Sequence, residues 1–306
     1  MEQHLTTQRG GAGFALGTAQ LGLPYGVSNK RGKPSMSEAG AILSRAAERE
    51  VKLIDTAPSY GDCESRLGAL LPDNHEFKIV TKYKKDDRSI SREDIIGAFR
   101  ASFDQSLGHL KQSMVHALLF HNPLDLLGRN GGDLFGAAQA LKAEKRVGSV
   151  GVSVYSPAEL TEITDRFPID LAQVPMNVLD QRMLQNGHLE KMKRLGIQVH
   201  ARSVLLQGLL LLPINELPAH FRPHRAVLQR FRAATKAAHL TPLAAALSFV
   251  KHTPGIDYAI VGICNFNQYE ETNDVFDQVK QISLELSQMA SDDLSLIDPT
   301  RWRIDR

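Results

Sequence analysis

Four polar residues, Asp55, Tyr60, Lys82 and His121, are of types that combine into one kind of chemistry. A tyrosine has an ordinary pKa of about 10, too high for an efficient acid near neutral pH. A neighbouring ammonium favours the phenolate, so Lys82 beside Tyr60 would ease proton donation. A lone lysine is costly to bury, and Asp55 is the charge partner that would keep it ionised. His121 can donate a hydrogen bond to a substrate oxygen and fix its orientation. The four together would polarise and protonate a carbonyl oxygen while a hydride arrives from another group. Singly, each has a plainer explanation. Asp55 in IDTAPSYG suits a turn, Lys82 stands in a basic run with Lys78, Lys84 and Lys85, and His121 before Asn122-Pro123 suits a loop.

Their joint placement favours a site, because the elements around them form a regular series. Short apolar runs that read as strands cover Phe14–Thr18, Lys52–Thr56, Phe77–Lys82, Val115–His121, Ser149–Val154, Leu171–Val174, Gln198–Ser203 and Tyr258–Gly262. Amphipathic stretches separate them. Ser37–Glu50 sets Ala39, Ile42, Leu43, Ala46 and Ala47 against Glu38, Arg45, Glu48 and Arg49 at helical spacing. Ser91 with Asp94 resembles a helix start, Ser156-Pro157 a cap followed by a first-turn proline, and Gly196 a left-handed helix end. Eight strands alternating with helices predict an α/β fold, a (β/α)8 TIM barrel of one domain over residues 1–306. A doubly wound sheet would carry a G-x-G-x-x-G turn after its first strand, and AQLGLPYG has another spacing. Asp55, Lys82 and His121 then fall at the ends of successive strands, on the catalytic rim of such a barrel.

Composition narrows the function classes. Lys+Arg 36 against Asp+Glu 34 is too balanced to argue for a nucleic-acid or membrane partner. Two cysteines, Cys63 and Cys264, do not make a disulfide framework and suit a reducing compartment. The polar, Gly-rich start lacks the pattern of a secretory signal, and the most apolar run, VLLQGLLLLP, is too short and broken to span a membrane. A cytoplasmic protein is expected.

At this point several segments resemble the aldo-keto reductase superfamily. They are GTAQLG at 17–22, IDTAPSYGDCESRLG at 54–68, IVTKY at 79–83, LLFHNP at 118–123, RVGSVGVSVYSPAEL at 146–160, LAQVPMNVLD at 171–180, RSVLLQGLL at 202–210 and AIVGICNFNQYEE at 259–271. The resemblance covers nearly the whole chain in the family's order. It implies a tetrad of Asp55, Tyr60, Lys82 and His121 with Tyr60 as the acid, and an NADP or NAD cofactor across the barrel mouth. It also implies that Gly17 and Thr18 approach the reacting ring, that Asp55 contacts the nicotinamide ribose, and that Ser153 and Gln173 hold the carboxamide. Ser203, Leu205, Gln207 and Gly208 would follow the pyrophosphate; Gly262, Cys264, Asn265, Gln268 and Glu271 would surround the adenosine. Arg202 stands where many relatives have a stacking tyrosine, and a guanidinium can also stack. Val154 replaces an amide of the family's S-N-F triplet. Family habit points to NADPH, yet Ile263, Cys264, Asn265, Asn267 and Gln268 provide no cation for a 2′-phosphate.

Other chemistries fit less well. A Schiff-base lysine needs a lowered pKa, which Asp55 opposes, and a metal hydrolase needs clustered His and carboxylate ligands at the strand ends. A cofactor-binding regulatory subunit with little turnover would carry the same binding residues, but would not require Tyr60. The substrate, a small-molecule carbonyl, would be chosen by Leu23–Lys33, Pro123–Gly132 and a surface loop at 213–225. Lys30, Arg31, Lys33, Arg129, Arg222, His224 and Arg225 in these loops suit a polar, anionic or sugar-like compound, with only Tyr25 and Phe221 as aromatics for an apolar pocket.

Overall fold

The computed structural model describes residues 11–84, 92–282 and 286–304, and in it eight parallel strands close into a barrel in sequence order. The strands are β1 (Gly13–Gly17), β2 (Leu53–Asp55), β3 (Lys78–Tyr83), β4 (Val115–Phe120), β5 (Val147–Ser153), β6 (Leu171–Pro175), β7 (Gln198–Arg202) and β8 (Tyr258–Gly262). All eight fall where apolar runs predict them. The predicted ends at Thr18, Thr56, His121, Val154 and Ser203 overshoot by one residue, because each of these already turns into the loop above the rim. The helices are α1 (Ala19–Gly22), α2 (Met36–Glu48), α3 (Cys63–Leu70), α4 (Arg92–Leu110), α5 (Leu124–Leu127), α6 (Gly131–Ala143) and α7 (Pro157–Arg166). They continue as α8 (Arg182–Gln185), α9 (His188–Arg194), α10 (Arg225–Ala237), α11 (Pro242–His252), α12 (Phe266–Gln278) and α13 (Leu294–Ile297).

Side chains alternate along a strand, so every second residue faces the barrel axis. Ala15, Leu53, Val80, Ala117, Leu119, Leu171 and Ile260 form that inner core. Two residues further on, Gly17, Asp55, Lys82, His121, Ser153, Gln173, Arg202 and Gly262 share the same parity. Strand registers pair some of them directly, Gly17 opposite both Asp55 and Gly262 and Ser153 opposite Gln173, and stagger the others by two residues, Asp55 lying opposite Val80, Lys82 opposite Leu119 and Gln173 opposite His200. Seven strands thus contribute one inward residue each near the rim, and His121 follows β4. The alternate set, including Leu16, Ile54, Ile79, Leu118 and Val152, packs outward against the helices in a much larger cluster. Each fully buried aliphatic side chain there contributes roughly 1.5–3 kcal/mol of transfer free energy.

Helix boundaries follow local chemistry. Ser156 and Glu159 make a reciprocal capping box at the start of α7, and Gly196 ends the α9 segment at φ 69°. Helix α2 begins one residue early, capped by Ser35, and buries Ala39, Ile42, Leu43 and Ala46, whereas Ala47, expected on that face, is exposed. The proposed cap at Ser91 lies outside the described residues. The segment 213–225 is not an open loop. It is built of 3-10 turns at Ile214–Glu216 and Ala219–His224, and Phe221 packs edge-on against Trp302 at 4.9 Å. Phe221 is wholly buried and lines no pocket at the mouth. Among the described residues no helix is long and apolar enough to cross a membrane. A cleft of about 400 Å³ lies at the opposite end of the barrel, between the C-terminal half of α2 and the segment leading into β3, lined by Leu43, Ala47, Val51, Leu71, His75 and Phe77.

Candidate active site

Of the four residues with which the chemistry began, three stand at or just past the ends of neighbouring strands and one in the turn above the rim. Asp55 closes β2, Lys82 lies near the end of β3, and His121 follows β4. Lys82 is 2% exposed, unlike Lys78 and Lys84 on the surface, so burial separates it from the basic run. Its Nζ donates to Asp55 Oδ1 at 2.7 Å and Oδ2 at 2.8 Å, and to the Thr56 carbonyl at 2.9 Å. It also reaches the Tyr60 hydroxyl at 3.4 Å. Tyr60 is brought back over the rim by a tight turn, its N–H donating to the Ala57 carbonyl at 3.0 Å and Gly61 following at φ 64°, a conformation that favours glycine. A β-carbon on Gly22 would collide with the Tyr60 carbonyl oxygen, so α1 and this turn fit only with glycine at 22.

Burial is the largest influence on all three groups that could move or steer a proton. Tyr60 is pushed well above the ordinary phenol value, first by burial and then by the Asp55 carboxylate. This reverses the expectation that Lys82 would acidify it. The ammonium is spent on two carboxylate contacts, so the phenol meets a neutral pair rather than a free cation. Lys82 is itself lowered, burial outweighing the opposing pull of Asp55. His121 is pushed down to about 3 by burial and by the cations Lys82 and Arg202. It is therefore a neutral imidazole at physiological pH. Its ring stands edge-on to Tyr60 at 5.9 Å, and Nδ1 lies 3.2 Å from Ser59 Oγ. With the Ser59 hydroxyl donating there, the ring proton sits on Nε2, free to donate.

The remaining residues form two further groups. Gln173 Nε2 donates to Asp55 Oδ1 at 2.7 Å and braces the carboxylate, whereas Thr18 Oγ1 donates to the Asp55 backbone carbonyl at 2.8 Å and holds the strand end. Arg202 donates through Nε to Ser153 Oγ at 3.3 Å, through Nη1 to Ser203 Oγ at 3.3 Å and through Nη2 to the Val154 carbonyl at 2.8 Å. Its guanidinium lies 4.4 Å over the Tyr155 ring, a cation–π contact. Beyond it, Ser203, Leu206, Gln207 and Gly208 all adopt positive φ. Gln207 leaves both side-chain amide atoms buried without a partner. At the start of α12, Asn265 caps Gln268 N, and Gln268 Oε1 accepts from Cys264 N at 2.7 Å. Two predicted residues stand apart. Leu205 buries its side chain in the core, leaving only its backbone for a ligand, and Glu271 is exposed on α12.

Some participants lay outside the sequence reading. Gln20, within the quoted GTAQLG, is 8% exposed, and its amide lies against the bare α-carbon of Gly262, where any β-carbon would strike it. Its Oε1 has no partner. Buried Glu64 accepts from Thr81 Oγ1 at 2.6 Å, next in chain to Lys82. Asn177 donates to the Ser203 carbonyl at 3.1 Å and so holds the strained loop. Unpartnered polar atoms, Gln20 Oε1 and both amide atoms of Gln207, are a feature that a groove for a dinucleotide needs, since a buried polar atom calls for a partner.

Comparison with known proteins bears on the family and the fold. A family model described as the aldo/keto reductase family matches residues 14–288. No curated protein sequence gives a significant match. A solved structure assigned as an aldo-keto reductase from Pseudomonas aeruginosa superposes with a TM-score of 0.65 at 24% identity, covering 88% of this chain and 91% of that one. The holo form of an aldo-keto reductase from Bacillus halodurans superposes with a TM-score of 0.72 at 18% identity, covering 94% and 95%. By the family match, the chain belongs to the aldo/keto reductases, a family of oxidoreductases.

Proposed function

We propose that this protein is an NAD(P)H-dependent cytoplasmic enzyme of one domain that reduces an aldehyde or ketone to the alcohol, with Tyr60 as proton donor. One observation carries the reading: a phenol kept protonated by burial, its hydroxyl 3.4 Å from a buried, carboxylate-paired lysine. When bound, the nicotinamide supplies the hydride. Gly17, Thr18, Ser153, Gln173 and Arg202 would hold its ring end, with Ser203, Gln207, Gly208 and the Leu205 backbone along the phosphates. Gly262, Cys264, Asn265, Gln268 and Glu271 would hold the adenosine. The neutral His121 would orient the carbonyl oxygen toward the Tyr60 hydroxyl, which passes its proton to that oxygen as negative charge builds there. Lys82, held by Asp55, would then steady the phenolate left behind.

The substrate is proposed to be a small polar carbonyl compound of sugar-like character. The loops remain polar, but two of their charges are matched internally: Lys30 pairs with Glu216 at 2.5 Å and Lys33 with Asp62 at 2.7 Å. That matching favours hydroxyl-rich neutral compounds over strongly anionic ones.

The test is carbonyl-dependent oxidation of NADH or NADPH over a panel of sugars, sugar phosphates and hydrophobic ketones. Tyr60→Phe should bind the dinucleotide with nearly wild-type affinity and lose at least about a hundredfold in kcat, the scale of a general acid. Retained turnover in that variant refutes the proton-donor role. Dinucleotide binding with no turnover on any carbonyl would favour a regulatory subunit instead.

A further inference from the structure

The first turn of a helix is a ready seat for an anion, because its N–H groups lack helical partners. At the start of α12, beside the groove, two of these donors, Phe266 N and Gln268 N, are already engaged, as is Cys264 N just before the helix. Asn265 Oδ1 accepts from Gln268 N at 2.9 Å, Gln268 Oε1 accepts from Cys264 N at 2.7 Å, and Phe266 N donates to Glu38 Oε1 at 3.2 Å. The last contact crosses between elements 228 residues apart. Glu38 lies in the first turn of α2, where its own N–H is held by Ser35 Oγ at 3.1 Å, so both helix starts fix the position of its half-buried carboxylate. No lysine or arginine occurs between 262 and 278. The arginines near the end of α2 are matched further along, Arg45 by Glu48 and Glu270, and Arg49, just past the helix, by Glu270 and Asp274.

We infer that Glu38 makes this site select NADH over NADPH, its carboxylate accepting a hydrogen bond from a free ribose 2′-hydroxyl and repelling a 2′-phosphate. The inference rests on the proposed reading that residues 262–271 receive the adenosine end of a nicotinamide dinucleotide. A hydroxyl can donate to a carboxylate already positioned by two helix starts. A phosphate can donate nothing when ionised; it would add about −2 of charge beside Glu38 and would find the backbone donors of Cys264, Phe266 and Gln268 taken. Family habit favours NADPH, and the local charge favours the opposite.

The experiment is a binding titration of the full chain with NADH and with NADPH, without carbonyl substrate, read by intrinsic fluorescence or calorimetry. Wild-type protein should bind NADH at least about tenfold more tightly, the value of one unfavourable charge contact of about 1.4 kcal/mol. Glu38→Gln keeps an oxygen to accept from Phe266 N while removing the charge. It should tighten NADPH binding about tenfold and leave NADH within about threefold. A residue that served only to hold α2 against α12 would weaken both ligands equally, leaving the ratio unchanged. Glu38→Lys, the second variant, should reverse the preference. Tighter NADPH binding by the wild type, or a wild-type ratio in either variant, overturns the assignment to Glu38. Binding of neither dinucleotide overturns it together with the proposed function, whereas equal binding of both with intact turnover overturns the selection alone.

Discussion

Tyr60, Lys82, Asp55 and His121 show how far residue types and spacing reach, and where they stop. Their meeting was legible because three of them stand at the ends of successive strands, and the parallel strands of a closed barrel bring their C-terminal ends to one rim. The direction of the Tyr60 shift was not legible. It depends on burial and on whether the ammonium is already paired, and neither quantity is encoded in spacing. Lys82→Met sharpens the point. Removing the ammonium leaves Asp55 uncompensated near the phenol, which should raise the Tyr60 pKa further. Residual activity should then hold to higher pH on its alkaline side, since donation requires the protonated phenol, and kcat should fall at least about a hundredfold. A pH–rate profile of the variant that overlays the wild type would contradict the pairing. Glu38 illustrates the opposite limit. Its partner lies 228 residues away, and only three-dimensional proximity of two helix starts reveals it.

At the scale of elements, Gly22 couples α1 to the catalytic turn. It sits at the end of a one-turn helix with ordinary backbone angles, so its requirement is space rather than conformation. Gly22→Ala would drive a methyl into the Tyr60 carbonyl oxygen and the Cys63 backbone, both too rigid to yield freely. The variant should lose about 1–3 kcal/mol of stability, as overpacking usually costs. It should also lose about tenfold or more in kcat, because a displacement near 1 Å at the proton donor is expensive. Thermal unfolding and steady-state kinetics on the same preparation would check both, and wild-type kcat would show that the turn does not position Tyr60. Capping at Ser156 and the left-handed Gly196 could be read directly, being carried by two or three adjacent residues. The 213–225 segment could not. Its polar composition suggests a loop, and only the burial of Phe221 against Trp302 converts it into packed 3-10 turns.

For the molecule as a whole, buried histidines link folding to pH. His200 lies within the barrel beneath Arg202, wholly buried and edge-on to Tyr258 at 5.2 Å. Burial, with His116 and Lys82 nearby, pushes it down to about 3. The folded state therefore keeps this ring neutral while the unfolded chain takes up a proton below its ordinary value of about 6.5. The stability it contributes is full above about 6.5 and lost progressively as pH falls toward 3. Melting temperature should be flat at neutral pH and fall below about 6.5. His200→Gln should make that fall shallower, by up to about 1.4 kcal/mol per pH unit for the one proton no longer linked. An identical slope in the variant would mean the ring protonates in place.

A closed parallel barrel divides its two rims between different duties. The hollow walled by Leu43, Val51, Leu71 and Phe77 opens at the strand beginnings, with the inner core separating it from Tyr60. A compound lodged there would stabilise the fold by mass action without competing for the reaction. Ligand screens scored by melting temperature will therefore collect bystanders from that lower mouth, and only displacement of a bound dinucleotide distinguishes true inhibitors.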